Sequence, residues 1–190
     1  MKLYKKHRRG FTLVELLVVI AIIAILAALG TPAILAQLKK AKIAKSQGVC
    51  QAFEVAVNNF ESEYNFLPYS GSAPNADTEI RSNTDIMSVL AGLEDEVNFK
   101  KIKFFELGEP KGSSEASYKD GMHVSGNSAK LYDPWGEPYY LELDYDYDGQ
   151  IKNPYEAGEF IRKKAICWSK GPDVNETGGG NTNDNPSNFD

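Results

Sequence analysis

At 190 residues, with 42% apolar, 25% charged and 11% aromatic side chains, the chain has the composition of a folded globular protein and is too short for two large domains. Its two cysteines exclude a disulfide-dense mini-protein and a four-cysteine zinc site. The formal charge of −5 is unevenly spread: Lys2, Lys5, Lys6, Arg8 and Arg9 crowd the first ten residues with no acidic side chain among them, and the remainder carries 16 basic against 26 acidic groups. A body that acidic repels a polyanion, so no nucleic-acid partner is expected.

Residues 11–30 read FTLVELLVVIAIIAILAALG, with Glu15 as the one charged side chain. As a helix this segment would be about 30 Å long, the thickness of a bilayer's hydrocarbon core. The basic leader predicts a cytoplasmic N-terminus, with everything after Gly30 on the other side of the membrane. A secretory signal peptide cleaved near Ala33 or Ala36 is the alternative. Against it stand the length of the run, beyond the roughly 7–15 residues of a signal core, and the buried charge. A carboxylate inside a membrane costs about 2.5–3.5 kcal/mol, so Glu15 calls for a partner.

The run Arg9-Gly10-Phe11-Thr12-Leu13-Val14-Glu15-Leu16-Leu17 resembles the prepilin processing motif of type IV pilins and type II secretion pseudopilins. The resemblance implies cleavage after Gly10 by a membrane prepilin peptidase, N-methylation of the new Phe11 amine, and self-assembly into a helical fibre. Gly10 offers the peptidase no side-chain obstruction, and Glu15 of the same or a neighbouring subunit is the natural counter-charge for the Phe11 amine. The expected organisation is a leader over residues 1–10, a transmembrane and assembly helix over 11–30, and a periplasmic body over 31–190. The implied fold is α+β and type IV pilin-like: one long N-terminal helix, its first half in the membrane, its second packed on a small antiparallel sheet.

Pro32 is expected to kink or loosen the helix, since it lacks an N–H and crowds the preceding turn. Beyond it, Ser46, Cys50, Phe53, Val57, Phe60 and Tyr64 recur at alternating steps of four and three, which predicts a helix with one buried face. Lys39, Lys40, Lys42, Lys45, Glu54, Glu61 and Glu63 lie mainly off that face, and Pro68 marks its end. Residues 69–84 read as a loop. Ile86, Val89, Leu90 and Leu93 predict a short helix, residues 99–107 a strand, and residues 113–127 turns or a loose hairpin. The clearest strands are residues 139–145 and 160–168, rich in aromatic and β-branched side chains. The tail from Gly171 onward is dominated by Gly, Asn and Asp and is expected to be loosely ordered without a ligand.

Asp133-Pro134-Trp135-Gly136-Glu137-Pro138-Tyr139 predicts a turn that sets a large aromatic side chain against the core. It resembles the D-x-W-G-x-P-Y segment of major pseudopilins of type II secretion, as does Ser169-Lys170-Gly171-Pro172-Asp173 with the glycine-rich tail. In that family the tail wraps a calcium ion. Asp173 and Asp184 match its acidic positions, Asn183 stands where a second acid is usual, and Val174 replaces a glycine. Asn175, Asn181 and Asp190 are reserve ligands; without calcium the tail would be a flexible acidic end. Asp144, Asp146 and Asp148, followed by Gly149 and Ile151, fit the first eight positions of a calcium loop. Tyr155 occupies the place of its bidentate Glu, however, and an acidic β-turn is the better account of the segment.

Cys50 falls on the buried stripe and Cys167 in the last strand, so a disulfide between them is possible, as are two buried thiols. His123 is the one histidine beyond the leader and has no adjacent nucleophile signature. No enzyme is expected, and an anchored hydrolase is the remote alternative. The resemblance implies a pseudopilus subunit working with sibling pseudopilins and an inner-membrane assembly platform in protein export. A surface-displayed type IV pilin is the nearer alternative.

Overall fold

The computed structural model describes residues 10–172 and 185–189, apart from the side chains of 29–33. In chain order the elements are α1 (Leu13–Tyr64), β1 (Ile80–Arg81), α2 (Ile86–Leu90), a 3₁₀ turn (Glu115–Ser117), β2 (Gly121–Ser125), β3 (Ser128–Tyr132), β4 (Tyr140–Leu143), β5 (Ile151–Lys152), β6 (Phe160–Ile161) and β7 (Ala165–Trp168). The fold is α+β with a long N-terminal helix and small antiparallel sheets, consistent with the pilin-like expectation. Two units are distinguished, residues 1–40 and 41–190.

The first unit holds the start of α1, whose apolar side chains from Leu13 to Leu26 stand exposed. Among the described residues no helix is long and apolar enough to cross a membrane. The chain stays helical through position 32.

In the second unit the stripe behaves as its spacing demands. Ser46, Cys50, Phe53, Val57, Phe60 and Tyr64 are all buried, with Val49 and Ala56 beside them. The helix ends at Asn65, whose φ of 62° places it in the left-handed region that caps helices. Pro68 merely follows. The flanks of that stripe are fastened by ion pairs: Glu54 to Lys163 at 2.8 Å and Glu61 to Lys164 at 2.7 Å on one side, and Lys45 to Asp120 at 2.6 Å on the other.

The central sheet has the order β1-β4-β7, all antiparallel. Leu141, Leu143, Ala165 and Cys167 join the main core with the α1 stripe, while Tyr140, Ile166 and Trp168 point the other way into a second apolar cluster. Because both faces of β7 are covered, its sequence reads as an unbroken apolar run. In the second cluster Trp168 stacks on Tyr140 at 5.4 Å and 15°, and the Arg81 guanidinium lies 3.7 Å above the same tyrosine ring.

Three expectations are corrected here. Residues 99–107 form no strand: Phe104 and Phe105 donate to the Leu90 carbonyl at 2.9 and 3.0 Å, and Ile102 donates to Asn98 Oδ1, so their backbone groups close the end of α2 instead of a ladder. Residues 160–168 divide into β6, paired with β5, and β7, paired with β4. The tail is docked where it is described: Ser187 bridges Trp168, Ser169 donates to Pro186, and Phe189 packs on Trp168 and Tyr155. Residues 113–127 resolve into the 3₁₀ turn and the first arm of the β2–β3 hairpin, which turns at Gly126 with a φ of 58°.

Candidate functional site

The processing residues come first along the chain. Gly10 and Phe11 precede the helix, and Phe11 is exposed. Thr12 caps it: the Glu15 amide donates to Thr12 Oγ1 at 3.2 Å, while Thr12's own amide and hydroxyl donate to Glu15 Oε2 at 2.8 and 2.7 Å. This reciprocal arrangement is a capping box, which satisfies helix-end donors that would otherwise need water. Thr-x-x-Glu spelled it in the sequence. Glu15 therefore has a partner within its own chain, one residue from the Phe11 nitrogen that cleavage would free.

The Asp133 turn is built around a buried carboxylate rather than an aromatic anchor. Asp133 Oδ1 accepts from the amides of Trp135, Gly136 and Glu137 at 2.9, 2.7 and 2.9 Å, and Oδ2 accepts from the Ser169 hydroxyl at 2.5 Å. Burial pushes the Asp133 pKa up despite these bonds. Trp135 is only half-buried; Tyr139 fills the core instead, with the Ser46 hydroxyl 3.1 Å from its own. Gly136 is required, since its φ is 106° and a Cβ there would meet the Tyr118 carbonyl at 3.2 Å.

The third place is an acidic corner. Asp77, Asp144 and Asp146 each present a carboxylate oxygen within 4.8 Å of the others. Asp77 was not foreseen. It arrives because β1 pairs with β4, Ile80 against Leu141, which brings the residues just before β1 toward those just after β4. Tyr145 confirms the juxtaposition by donating its amide to Asp77 Oδ1 at 2.9 Å. Asp148 is not in the cluster; its amide donates to Asp144 Oδ1 and Asp146 Oδ1, and its carboxylate accepts from Gln150.

Like charges opposed across strands repel. Burial, then Asp77 and Glu79, push Glu142 up to about 6, and burial is likewise the main cause raising Asp77 and Asp144. Because the folded form of Glu142 holds its proton more tightly than the unfolded chain, this corner loses stability as pH rises between about 4.5 and 6. Hard oxygen donors in this number suit part of a calcium shell, which needs six to eight. Asp144 already spends both oxygens on the amides of Asp148 and Gly149, as an acidic turn does without any ion.

Asp173, Asp184, Asn175, Asn181, Asn183 and Asp190 lie outside the described residues. Cys50 and Cys167 do meet: both are buried free thiols with their sulfurs 2.7 Å apart. His123 sits on β2 with its ring 4.5 Å from that of Tyr118.

Comparison with known proteins gives one family match, to the prokaryotic N-terminal methylation motif, over residues 5–31. The match supports a type IV pilin-like protein and implies processing by prepilin peptidase and assembly into a pilin-type fibre. It also suggests a membrane-anchored N-terminus. No curated protein and no solved structure matches the chain.

Proposed function

We propose that the chain is a type II secretion pseudopilin, most similar to the major subunit, and that it acts mechanically rather than catalytically. Residues 11–30 hold it in the inner membrane with residues 31–190 in the periplasm. Addition of subunits to a periplasmic fibre then pushes folded proteins outward. The methylation motif at residues 5–31 carries this reading. Support comes from the exposed apolar start of α1, a surface that water does not tolerate and that a bilayer or neighbouring helices would cover. The resemblance of the Asp133–Tyr139 turn to that of major pseudopilins supports this reading over a surface pilus.

The capping box makes Glu15 a sharp test. Glutamine at the same helix position keeps the cap but removes the charge. Glu15→Gln is expected to be cleaved normally, yet to lower fibre yield on overexpression at least about tenfold, the equivalent of about 1.4 kcal/mol. Normal fibre yield would reduce Glu15 to a helix cap and end its role as counter-charge. Fibres displayed outside cells that carry a retraction ATPase would move the protein to the surface pili.

The same reading includes calcium, held by Asp173 and Asp184 in the C-terminal segment. Calcium would supply ordering energy to a segment with almost no apolar side chains. Free calcium at 100 times its Kd is expected to stabilise the protein by about 2.7 kcal/mol over chelator, several degrees in Tm. Asp173→Ala or Asp184→Ala should abolish that difference. Its loss in Asp146→Ala alone would move the ion to the corner of Asp77, Asp144 and Asp146. An unchanged Tm in chelator would remove calcium from the account.

A further inference from the structure

Cys50 stands on the buried face of α1, and Cys167 on the α1-facing side of β7. Both are fully buried, and their sulfurs lie 2.7 Å apart although 117 positions separate them in sequence. Closing that gap to the roughly 2.04 Å of a disulfide takes less than about 1 Å of side-chain movement.

The backbone on each side is held by contacts that do not involve sulfur. The Cys167 amide donates to Asn188 Oδ1 at 2.9 Å, its carbonyl accepts from the Asn188 amide at 3.2 Å, and Leu141 pairs with it across the sheet. One turn before Cys50, Ser46 is tied to Tyr139. Asn188 also donates to Glu54 on α1 at 2.8 Å, one turn after Cys50. The thiol pair is thus set face to face by the fold on both sides.

We propose that Cys50 and Cys167 form a structural disulfide that staples α1 to β7; the proposal rests on the reading that places the body outside the reducing cytoplasm. The oxidant is a protein disulfide of the dithiol oxidase class. One cysteine thiolate attacks that disulfide, forming a mixed disulfide and releasing one oxidase thiol. The second cysteine then displaces the other oxidase sulfur. The chain gives up two protons and two electrons, and the oxidase leaves as a dithiol. Burial raises the Cys167 thiol well above its ordinary range, so the attacking thiolate is available only before α1 docks on β7. The same burial shields the finished bond from reductants.

The test uses the full chain, expressed with its own N-terminus and recovered from membranes into acid. The protein is unfolded in denaturant, alkylated with N-ethylmaleimide and weighed intact. The expected result is no adduct before reduction, two after it, and a starting mass about 2 Da below that of the dithiol. Two adducts without reduction overturn the proposal. Refolding the reduced chain in detergent with a glutathione redox couple then tells which premise failed. Closure there, with open thiols in the cell, means the compartment was wrong; no closure means the pairing was wrong. The oxidised chain is also expected to melt about 5–15 °C above the reduced one, and equal melting temperatures overturn the staple.

Discussion

Gly10→Val is expected to leave the chain uncleaved, so that mass spectrometry of membrane protein finds the precursor with residues 1–10 attached and no species beginning at Phe11. The folded chain gives no reason for glycine at this position. A Cβ built there meets nothing within 4 Å, and its φ lies outside the region that strains other residues. Whatever demands a glycine must therefore act from outside, as a peptidase cleft closing on the scissile bond does. The Tm of the body should match that of the parent, because Gly10 belongs to the other unit. Normal cleavage of Gly10→Val, or a mature terminus anywhere but Phe11, would end the prepilin reading.

Asp133→Ala is expected to destabilise the body strongly. It removes the acceptor from the part-buried amides of Trp135, Gly136 and Glu137 and from the buried Ser169 hydroxyl, leaving only the Gly136 amide with another partner, the residue-133 carbonyl at 3.2 Å. At about 1–3 kcal/mol for the buried hydroxyl left unpaired and less for each part-buried amide, the loss should be about 3–5 kcal/mol. Thermal unfolding should show it as a drop of about 6–20 °C. Asp133→Asn keeps an acceptor for the three amides and should lose less than half as much. A shift below about 2 °C for Asp133→Ala would show that the carboxylate is not what holds the turn.

The long helix was legible because its signal is local and repeated: six positions from Ser46 to Tyr64 alternate at steps of four and three, and all six are buried. The strand expected over residues 99–107 failed for the opposite reason. Alternation marks an extended chain but not its partner, and here the α2 carbonyl of Leu90 and the Asn98 side chain took the amides that a neighbouring strand would have taken. Trp135 misled through size, since a large ring beside two prolines looks like an anchor, whereas the turn is organised by the small carboxylate two positions earlier. Asp77 could not be found from its surroundings, a polar loop; it reaches Asp144 only through the β1–β4 pairing. The capping box, by contrast, is a local signal, carried entirely by the three-residue spacing of Thr12 and Glu15.

The separation between the buried face of α1 and the strands that cover it has a kinetic consequence. The helix can form as soon as its residues are made, since its contacts are local, but Cys50 waits 117 positions for Cys167, and Ser46 waits 93 for Tyr139. Through that interval Phe53, Val57 and Phe60 have no cover from the sheet. Contacts so distant slow folding, and a preformed apolar face held open is where wrong association begins. Emerging chains should therefore depend on a holding chaperone, or on the membrane surface itself, until β4 and β7 arrive.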